Sequence, residues 1–142
     1  MLDLEVIPRG NIPIIHGDLG SDRLIPLPLL GEGMNKLCSY GLAISNAENG
    51  FVLIDEIENG LHYSVLEKIW KGIIHLARKS NVQVITTTHS EECIRAAHSS
   101  MSDEKEYELK LHRLDRVDEG IEVTTYDKDT LGPAIDQGFE VR

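Results

Sequence analysis

The stretch FVLIDEIENGLH, residues 51–62, decides the fold that we expect for this chain of 142 residues. Its first four residues, Phe51–Ile54, are continuously apolar, and two acidic residues, Asp55 and Glu56, end the run. A short apolar run of this kind is typical of a strand that is buried on both faces of a parallel sheet. Such a strand delivers the residues that follow it to the carboxyl edge of the sheet, where α/β proteins place their ligands.

The segments on either side of this stretch predict an α/β fold. Residues 63–79 carry apolar side chains at helical spacing, and residues 82–88 are β-branched almost throughout, which is typical of a second buried strand. Two strands joined by a long helical crossover predict a parallel sheet with flanking helices. Upstream, residues 32–46 predict a buried helix, because apolar side chains occupy nearly every face.

The ends of the chain carry weaker patterns. Prolines interrupt residues 1–30, which we expect to be irregular with at most short strands at 12–16 and 24–27. Residues 107–115 and 120–126 alternate polar and apolar side chains, which predicts a C-terminal β-hairpin that adds a mixed edge to the sheet.

Two further helices complete the predicted architecture. Ser90 is a favourable N-cap, and two glutamates follow it in the first turn, so we expect a helix from there to about Ser99. A short terminal helix is expected over residues 127–138.

Composition and charge exclude several classes of function. The net charge is −10, and the balance of 41% hydrophobic with 27% charged residues is ordinary for one globular domain. An acidic surface is repelled by phosphate backbones, so we expect contact with nucleic acid only through regions outside this chain. Cys38 and Cys93 form no C-x-x-C pair and are interpreted as small core residues in a reducing cytoplasm. No apolar run approaches the roughly 20 residues that span a bilayer, so no membrane role is expected.

Two acids and a histidine are expected at one edge of the sheet. Asp55 and Glu56 follow the first strand, and His89 follows the second, within TTTHS at residues 86–90. One carboxylate there can hold Mg²⁺ through water, and the other can deprotonate an attacking water. Histidine can donate a hydrogen bond to a terminal phosphate oxygen. Each element alone is weakly specific, because acids often merely end a strand and a lone histidine is usually satisfied in its loop.

A third element, Leu30-Gly31-Glu32-Gly33-Met34, stands immediately before the helix predicted at residues 32–46. Two glycines allow backbone N–H groups to approach an anion, and the N-terminus of a helix favours negative charge. Glycines before a helix are also ordinary turn chemistry, so this element too is weak when it is taken alone.

In this order and spacing, the three elements resemble the C-terminal portion of an ABC/SMC-like ATPase head of the AAA-family, OLD- and RecF-like group. In that group a signature loop precedes a helix, and Walker B, D-loop and H-switch elements follow. The matching segments are LLGEGMNKL at 29–37, VLIDE at 52–56, ENGLH at 58–62 and TTTHS at 86–90. The resemblance covers residues 24–142 and implies a partial P-loop NTPase fold, with residues 1–142 as a single domain.

The resemblance implies a role for each matching residue at the sheet edge. Asp55 would assist Mg²⁺, Glu56 would be the catalytic base, and His89 would sense the γ-phosphate of ATP. The implied cofactors are therefore ATP and Mg²⁺.

Two further groups of residues are implied to lie where two ATPase subunits meet. The signature residues would contact the ATP bound by the opposing subunit, and the D-loop residues would line the seam of a homodimer. The signature residues are Gly31, Glu32 and Gly33, and the D-loop residues are Asn59, Gly60 and His62. Gly31 stands where the group usually has serine, which leaves the contact to backbone amides.

The chain departs from the group in one large respect. The phosphate-binding pattern G-x-x-x-x-G-K-[ST] does not occur in the 142 residues. We therefore expect ATP hydrolysis only when a Walker A segment comes from elsewhere, upstream of this sequence or in a complementary chain. Two alternatives stay open: a non-catalytic interaction module that kept the ATPase fold, and a metal-dependent phosphohydrolase, which would lack a second ligand cluster.

The absence of Walker A also gives a structural expectation. The resemblance implies that the Walker A strand lies between the strands predicted at 82–88 and 107–115. Without it, these strands either pair directly, or leave a gap with open edges, because backbone N–H and C=O groups need partners. We expect the gap, since the crossovers and helix packing suit an intervening strand, and we expect a chain that is prone to associate.

Overall fold

The computed structural model describes residues 3–20, 23–102, 104–138 and 141. It confirms the predicted fold class, a mixed α/β fold with a parallel strand pair, flanking helices and a C-terminal hairpin. The elements in chain order are β1 (Asp3–Arg9), β2 (Ile12–Asp18), β3 (Ile25–Pro26), α1 (Glu32–Asn46), β4 (Phe51–Ile54), α2 (Leu66–Ser80), β5 (Gln83–Thr86), α3 (Glu91–Ser102), β6 (Leu111–Val117), β7 (Gly120–Tyr126) and α4 (Lys128–Asp136).

Strands β4 and β5 form the predicted parallel pair, which begins with Phe51 opposite Gln83. Backbone hydrogen bonds prolong the pairing beyond the end of β5. The Thr87 N–H donates to the carbonyl of Ile54 at 3.0 Å, and the Ile57 N–H donates to the carbonyl of Thr87 at 3.2 Å. Both strands therefore end at the same edge, and backbone hydrogen bonds join the two loops that follow them.

One face of the β4–β5 pair is covered by α1, α2 and α3, which enclose the main core. In α2 the apolar residues recur every three or four positions, so the helix turns one stripe toward the strands. Cys93 is completely buried in this core, as predicted, whereas Cys38 is only half-buried. The buried members are Ile44, Ile54, Ile57, Leu66, Ile69, Trp70, Ile73, Val82, Cys93 and Ala97.

The opposite face of the same pair is bare. Phe51, Leu53 and Ile85 are 66%, 68% and 50% exposed. The prediction of strands buried on both faces is therefore wrong for this face, because no element in the described part of the chain packs against it.

Helix α1 has the predicted bounds but not the predicted burial. Only Ile44 is buried, and Leu42 is 50% exposed. The helix packs on α2 and contacts β4, and its residues Leu37 and Tyr40 are only partly buried against the main core.

Helix α3 begins as predicted and ends later. The Ser90 hydroxyl oxygen accepts the N–H of Cys93 at 3.2 Å, which caps the first turn. The helix continues to Ser102, and in its last turns the hydroxyls of Ser100 and Ser102 donate to the carbonyls of Ala96 and His98, each at 2.7 Å.

Strands β6 and β7 form the predicted hairpin, with Val117 opposite Gly120 at its turn. The hairpin packs with α3 and α4 around a second core of Ile94, Leu131, Ala134, Ile135 and Val141. It forms a separate two-stranded sheet, so the predicted mixed edge on the parallel sheet is wrong. The terminal helix α4 begins after Asp127, whose carboxylate accepts the N–H groups of Asp129 and Thr130.

The N-terminal segment is more regular than predicted. Strands β1 and β2 pair along their whole length across a turn at Gly10, whose φ is +66°. Pro8 lies directly opposite Pro13, so the two positions without an N–H group fall at the same place in the ladder. The two prolines therefore interrupt the hydrogen-bond ladder of the hairpin at one place instead of two.

A cleft lies between β5 and β6, where the missing strand was expected. Strand β5 pairs with β4 alone, and β6 pairs with β7 alone. The cleft has a volume of about 1120 Å³, and residues 82–89 and 107–114 line its two sides. The predicted gap is thus confirmed for the described residues. None of the helices in the described ranges is long and apolar enough to cross a bilayer.

Candidate functional site

Thr87, in the loop after β5, holds the acid pair that follows β4. Its hydroxyl donates to Oδ1 of Asp55 at 2.5 Å and accepts the backbone N–H of Glu56 at 2.8 Å. One hydroxyl group therefore fixes the side chain of the first acid and the backbone of the second. Both carboxylates remain exposed to solvent.

Glu56 has a strained backbone. Its φ is +45°, in the left-handed region that non-glycine residues rarely adopt. Such conformations typically cost about 1–3 kcal/mol and cluster at functional sites, where the surrounding contacts enforce them. Here the hydrogen bond from the Glu56 N–H to Thr87 is one enforcing contact.

His89 lies at the same edge and is held through its backbone. Its N–H donates to Oε1 of Glu58 at 2.8 Å. Glu58 is three residues after Asp55, so the loop that carries the acid pair also contacts the loop that carries the histidine. The structure thus brings the three predicted residues, Asp55, Glu56 and His89, to one edge of the strand pair.

The carboxyl group of Glu58 is shaped by opposing effects. Burial alone would raise its pKa, but hydrogen bonds from the Thr88 hydroxyl and the His89 N–H outweigh burial, so the pKa lies below its ordinary value. Its Oε2 atom is buried and has no hydrogen-bond partner among the described residues. Glu58 is therefore a half-buried, negatively charged side chain whose hydrogen bond from the His89 N–H connects the two loops.

The predicted signature and D-loop residues pack against each other within this chain. Gly31 has φ +94° and immediately precedes α1. A Cβ at Gly33 would lie 3.4 Å from the side chain of Leu61. A Cβ at Gly60, where φ is +71°, would lie 2.8 Å from Oε1 of Glu32, so only glycine fits without displacement.

Asn59 and His62 are the other residues of the predicted D-loop. The Lys36 ammonium group on α1 donates to the carbonyl of Asn59, which connects this loop to α1. Nδ1 of His62 accepts the N–H of Ser64 at 3.3 Å, and its ring lies 4.3 Å from that of Tyr63. His62 therefore caps the turn that leads into α2.

The donors at the sheet edge fit magnesium better than a metal held by protein ligands alone. The described residues contain no cluster of three or more acidic, histidine or cysteine side chains that could hold a metal ion. Mg²⁺ is usually bound by one or two carboxylates together with water and substrate phosphates. Asp55 and Glu56 match that donor set.

Comparison with known proteins identifies the family. A sequence profile described as AAA ATPase domain matches residues 6–94, which is more than half of the chain. The chain belongs to this AAA ATPase domain family. The matched range includes every site residue predicted above.

Two curated relatives share part of the chain. An ATP/GTP phosphatase from Helicobacter pylori is 30% identical over 106 residues, which are 72% of this chain and 29% of that protein. An uncharacterised protein from Methanocaldococcus jannaschii is 38% identical over 65 residues, which are 46% of this chain and 57% of that protein. The AAA ATPase chain thus spans less than a third of the first relative and just over half of the second.

A solved structure supports the fold of this AAA ATPase chain. It comes from work on ATP-driven dimerization and DNA-stimulated activation of SMC ATPases. The TM-score is 0.63 at 15% identity, over 94% of this chain and 79% of that chain. The similarity shows an SMC ATPase-like fold.

Two residues at the site were not predicted from the sequence. Thr87 and Glu58 both lie inside the motifs that the sequence analysis singled out, but neither was given a role. Their roles depend on contacts between loops that are about thirty residues apart in the chain. A sequence signal for them was a polar residue two positions from a predicted site residue, since Thr87 precedes His89 by two and Glu58 follows Glu56 by two.

Proposed function

We propose that this AAA ATPase chain supplies the Walker B, signature and H-switch elements of a head that hydrolyses ATP. Residues 1–142 then form one portion of a single ATPase domain. The observation that best supports the proposal is the meeting of Asp55, Glu56 and His89 at one exposed edge, with Glu56 in a strained conformation.

Each residue has a distinct task in this proposal. Glu56 orients the attacking water and accepts its proton, and Asp55 holds the metal through water. His89 donates a hydrogen bond to the terminal phosphate. Mg²⁺, when it is bound, neutralises the charge of the phosphate oxygens.

We place the Walker A segment of this head in the cleft between β5 and β6. A five-residue strand with its side chains fills a block of roughly 17 by 5 by 10 Å, on the order of 800 Å³. The cleft, at about 1120 Å³, is of the same order. A strand that pairs with the open side of β5 would carry its following phosphate loop to the edge where His89 lies. The helix after that loop would cover the bare residues Phe51, Leu53 and Ile85.

The signature residues suggest that two heads act together. In this proposal Gly31, Glu32 and Gly33 of one copy contact the ATP held by a second copy, and Asn59, Gly60 and His62 line the seam. The packing of these two groups on each other supports a common surface. Gly33→Asp should abolish ATP-dependent dimerisation of a head completed with Walker A, because its carboxylate, beside Leu61, would add negative charge to the seam that contacts the triphosphate of the second copy. Gly33→Ala is the matched control, and light scattering that shows ATP-dependent dimers of Gly33→Asp would reject the assignment.

Replacement of the base tests the proposed chemistry. In a head completed with a Walker A segment, Glu56→Gln should lower turnover about 10²- to 10⁴-fold and leave ATP binding unchanged, because the amide cannot accept a proton. Glu119→Gln, an exposed site in the hairpin turn, is the matched control. Undiminished phosphate release by Glu56→Gln would rule out this role.

The second candidate function is a non-catalytic interaction module. The bare apolar face of β4 and β5 favours it, because exposed apolar patches commonly mark binding surfaces. The module hypothesis predicts no turnover by the completed head, with or without Glu56, and so the same assay separates the two functions.

A further inference from the structure

Two side chains connect the loops at the edge that carries Asp55, Glu56 and His89. Each reaches from its own loop to the other loop. Thr87 belongs to the loop after β5 and contacts the acid pair after β4. Glu58 belongs to the loop after β4 and contacts the backbone of His89 after β5. Neither loop is therefore positioned by its own strand alone.

We propose that Thr87 and Glu58 are positioning residues which form a reciprocal clasp and set the acid pair and His89 relative to each other. The catalytic consequence of the clasp rests on the function proposed above. The clasp itself is a property of this chain.

The local structure explains why such a clasp is needed. Strands β4 and β5 contain only four residues each, and beyond them only two backbone hydrogen bonds between the described residues join the loops, from the Thr87 N–H to Ile54 and from the Ile57 N–H to Thr87. The left-handed conformation of Glu56 would relax if its N–H lost the Thr87 hydroxyl. The clasp adds hydrogen bonds made by side chains to these two backbone bonds.

The Glu58 half of the clasp extends into α3. The Thr88 hydroxyl, which also contributes to lowering the pKa of Glu58, accepts the N–H of Ser90 at 3.1 Å. Ser90 in turn caps α3. The carboxylate of Glu58 is thus connected to the helix that follows His89, which fixes the loop on both sides of the histidine.

Hydrogen exchange on the intact chain tests the clasp without any nucleotide. Thr87→Val should raise the exchange rate of the Glu56 amide, and Glu58→Ala that of the His89 amide, each about 3- to 10-fold, as expected for the loss of one hydrogen bond. Thr87→Ser and Glu58→Gln retain an acceptor and should exchange like the wild type. The amides of α2 serve as an internal control for global unfolding. Unchanged exchange at Glu56 and His89 in the first two variants would overturn the clasp.

Kinetics of the completed head test its positioning role. Thr87→Val and Glu58→Ala should lower kcat while KM for ATP stays within about twofold, since the proposed site gives neither residue a contact with nucleotide. The double variant should lose less than the product of the two single effects, because the two residues act on one geometry. Wild-type kcat in both single variants would contradict positioning. A wild-type head without turnover would instead refute the proposed function, and the exchange experiment would still decide the clasp.

Discussion

At the residue scale, Glu56 has both a proposed catalytic role and an unusual backbone conformation. Its side chain is the proposed base, and its backbone adopts the left-handed conformation. The common position of Asp55, Glu56 and His89 could be predicted from the sequence, because they follow two apolar strands and parallel strands end at one edge. The strain of Glu56 and its bond to Thr87 could not, because they arise from a loop more than thirty residues away.

The backbone strain at Glu56 predicts a difference between two substitutions that both remove the carboxylate. Glu56→Gly should be more stable than Glu56→Ala by about 1 kcal/mol, because glycine adopts a positive φ without a steric penalty. Chemical denaturation of the two variants measures the difference directly. Equal unfolding free energies would show that residue 56 is not held in the left-handed region in solution.

At the scale of elements, the sequence predicts where helices and strands lie better than how deeply they are buried. The bounds of α1 and β4 match the expectation, because local apolar patterns and flanking glycines are visible in the sequence. The burial of both was overestimated, because burial depends on which elements pack on the opposite face. The start of β6 moved from residue 107 to Leu111 because Tyr107 is drawn to α3, where its hydroxyl lies 2.8 Å from Nδ1 of His98.

The contact of Tyr107 with α3 predicts a pH dependence. Burial, and after it the negative charge of Asp127, raises the pKa of Tyr107 to about 12. Below about pH 10 a tyrosine is protonated in both the folded and the unfolded chain. Between pH 10 and 12 only the unfolded chain releases the proton, so the unfolding free energy falls as the pH rises.

The measurement compares wild type with Tyr107→Phe. Denaturation curves between pH 9 and about 12 should show a steeper loss of stability in the wild type than in the variant, because the phenylalanine has no proton to release. If the unfolding free energy falls equally with pH in the two proteins, the pKa of Tyr107 is not raised in the folded chain.

At the scale of the whole molecule, the separation of β5 from β6 is the main finding. The gap was predictable because the sequence lacks the phosphate-loop pattern, while the elements on both sides of the missing strand are present. The β1–β2 hairpin was not predicted, because prolines argue against strands. The opposite placement of Pro8 and Pro13, which makes the pairing possible, depends on the register of the two strands.

The bare face of β4 and β5 predicts self-association of the isolated chain. Leu53→Lys should reduce it, because a charge on an exposed strand opposes pairing with other copies, and the cost in stability should be small at a residue 68% exposed. Leu42→Lys, at an exposed position on α1, is the matched control. Sedimentation that shows the same association in Leu53→Lys as in wild type would remove this face as the cause.

Phosphate release from ATP and Mg²⁺ is the most direct test of the central claim that this chain is the Walker B and switch portion of an ATPase head. The chain would be assayed alone and after fusion to a strand–loop–helix segment that carries G-x-x-x-x-G-K-[ST]. We predict no release by the chain alone, because the missing phosphate contacts are worth roughly 1.5–3 kcal/mol each. We predict turnover by the fused chain and its loss in Glu56→Gln. Turnover by the chain alone, or by the fused Glu56→Gln variant at the wild-type rate, would contradict the account.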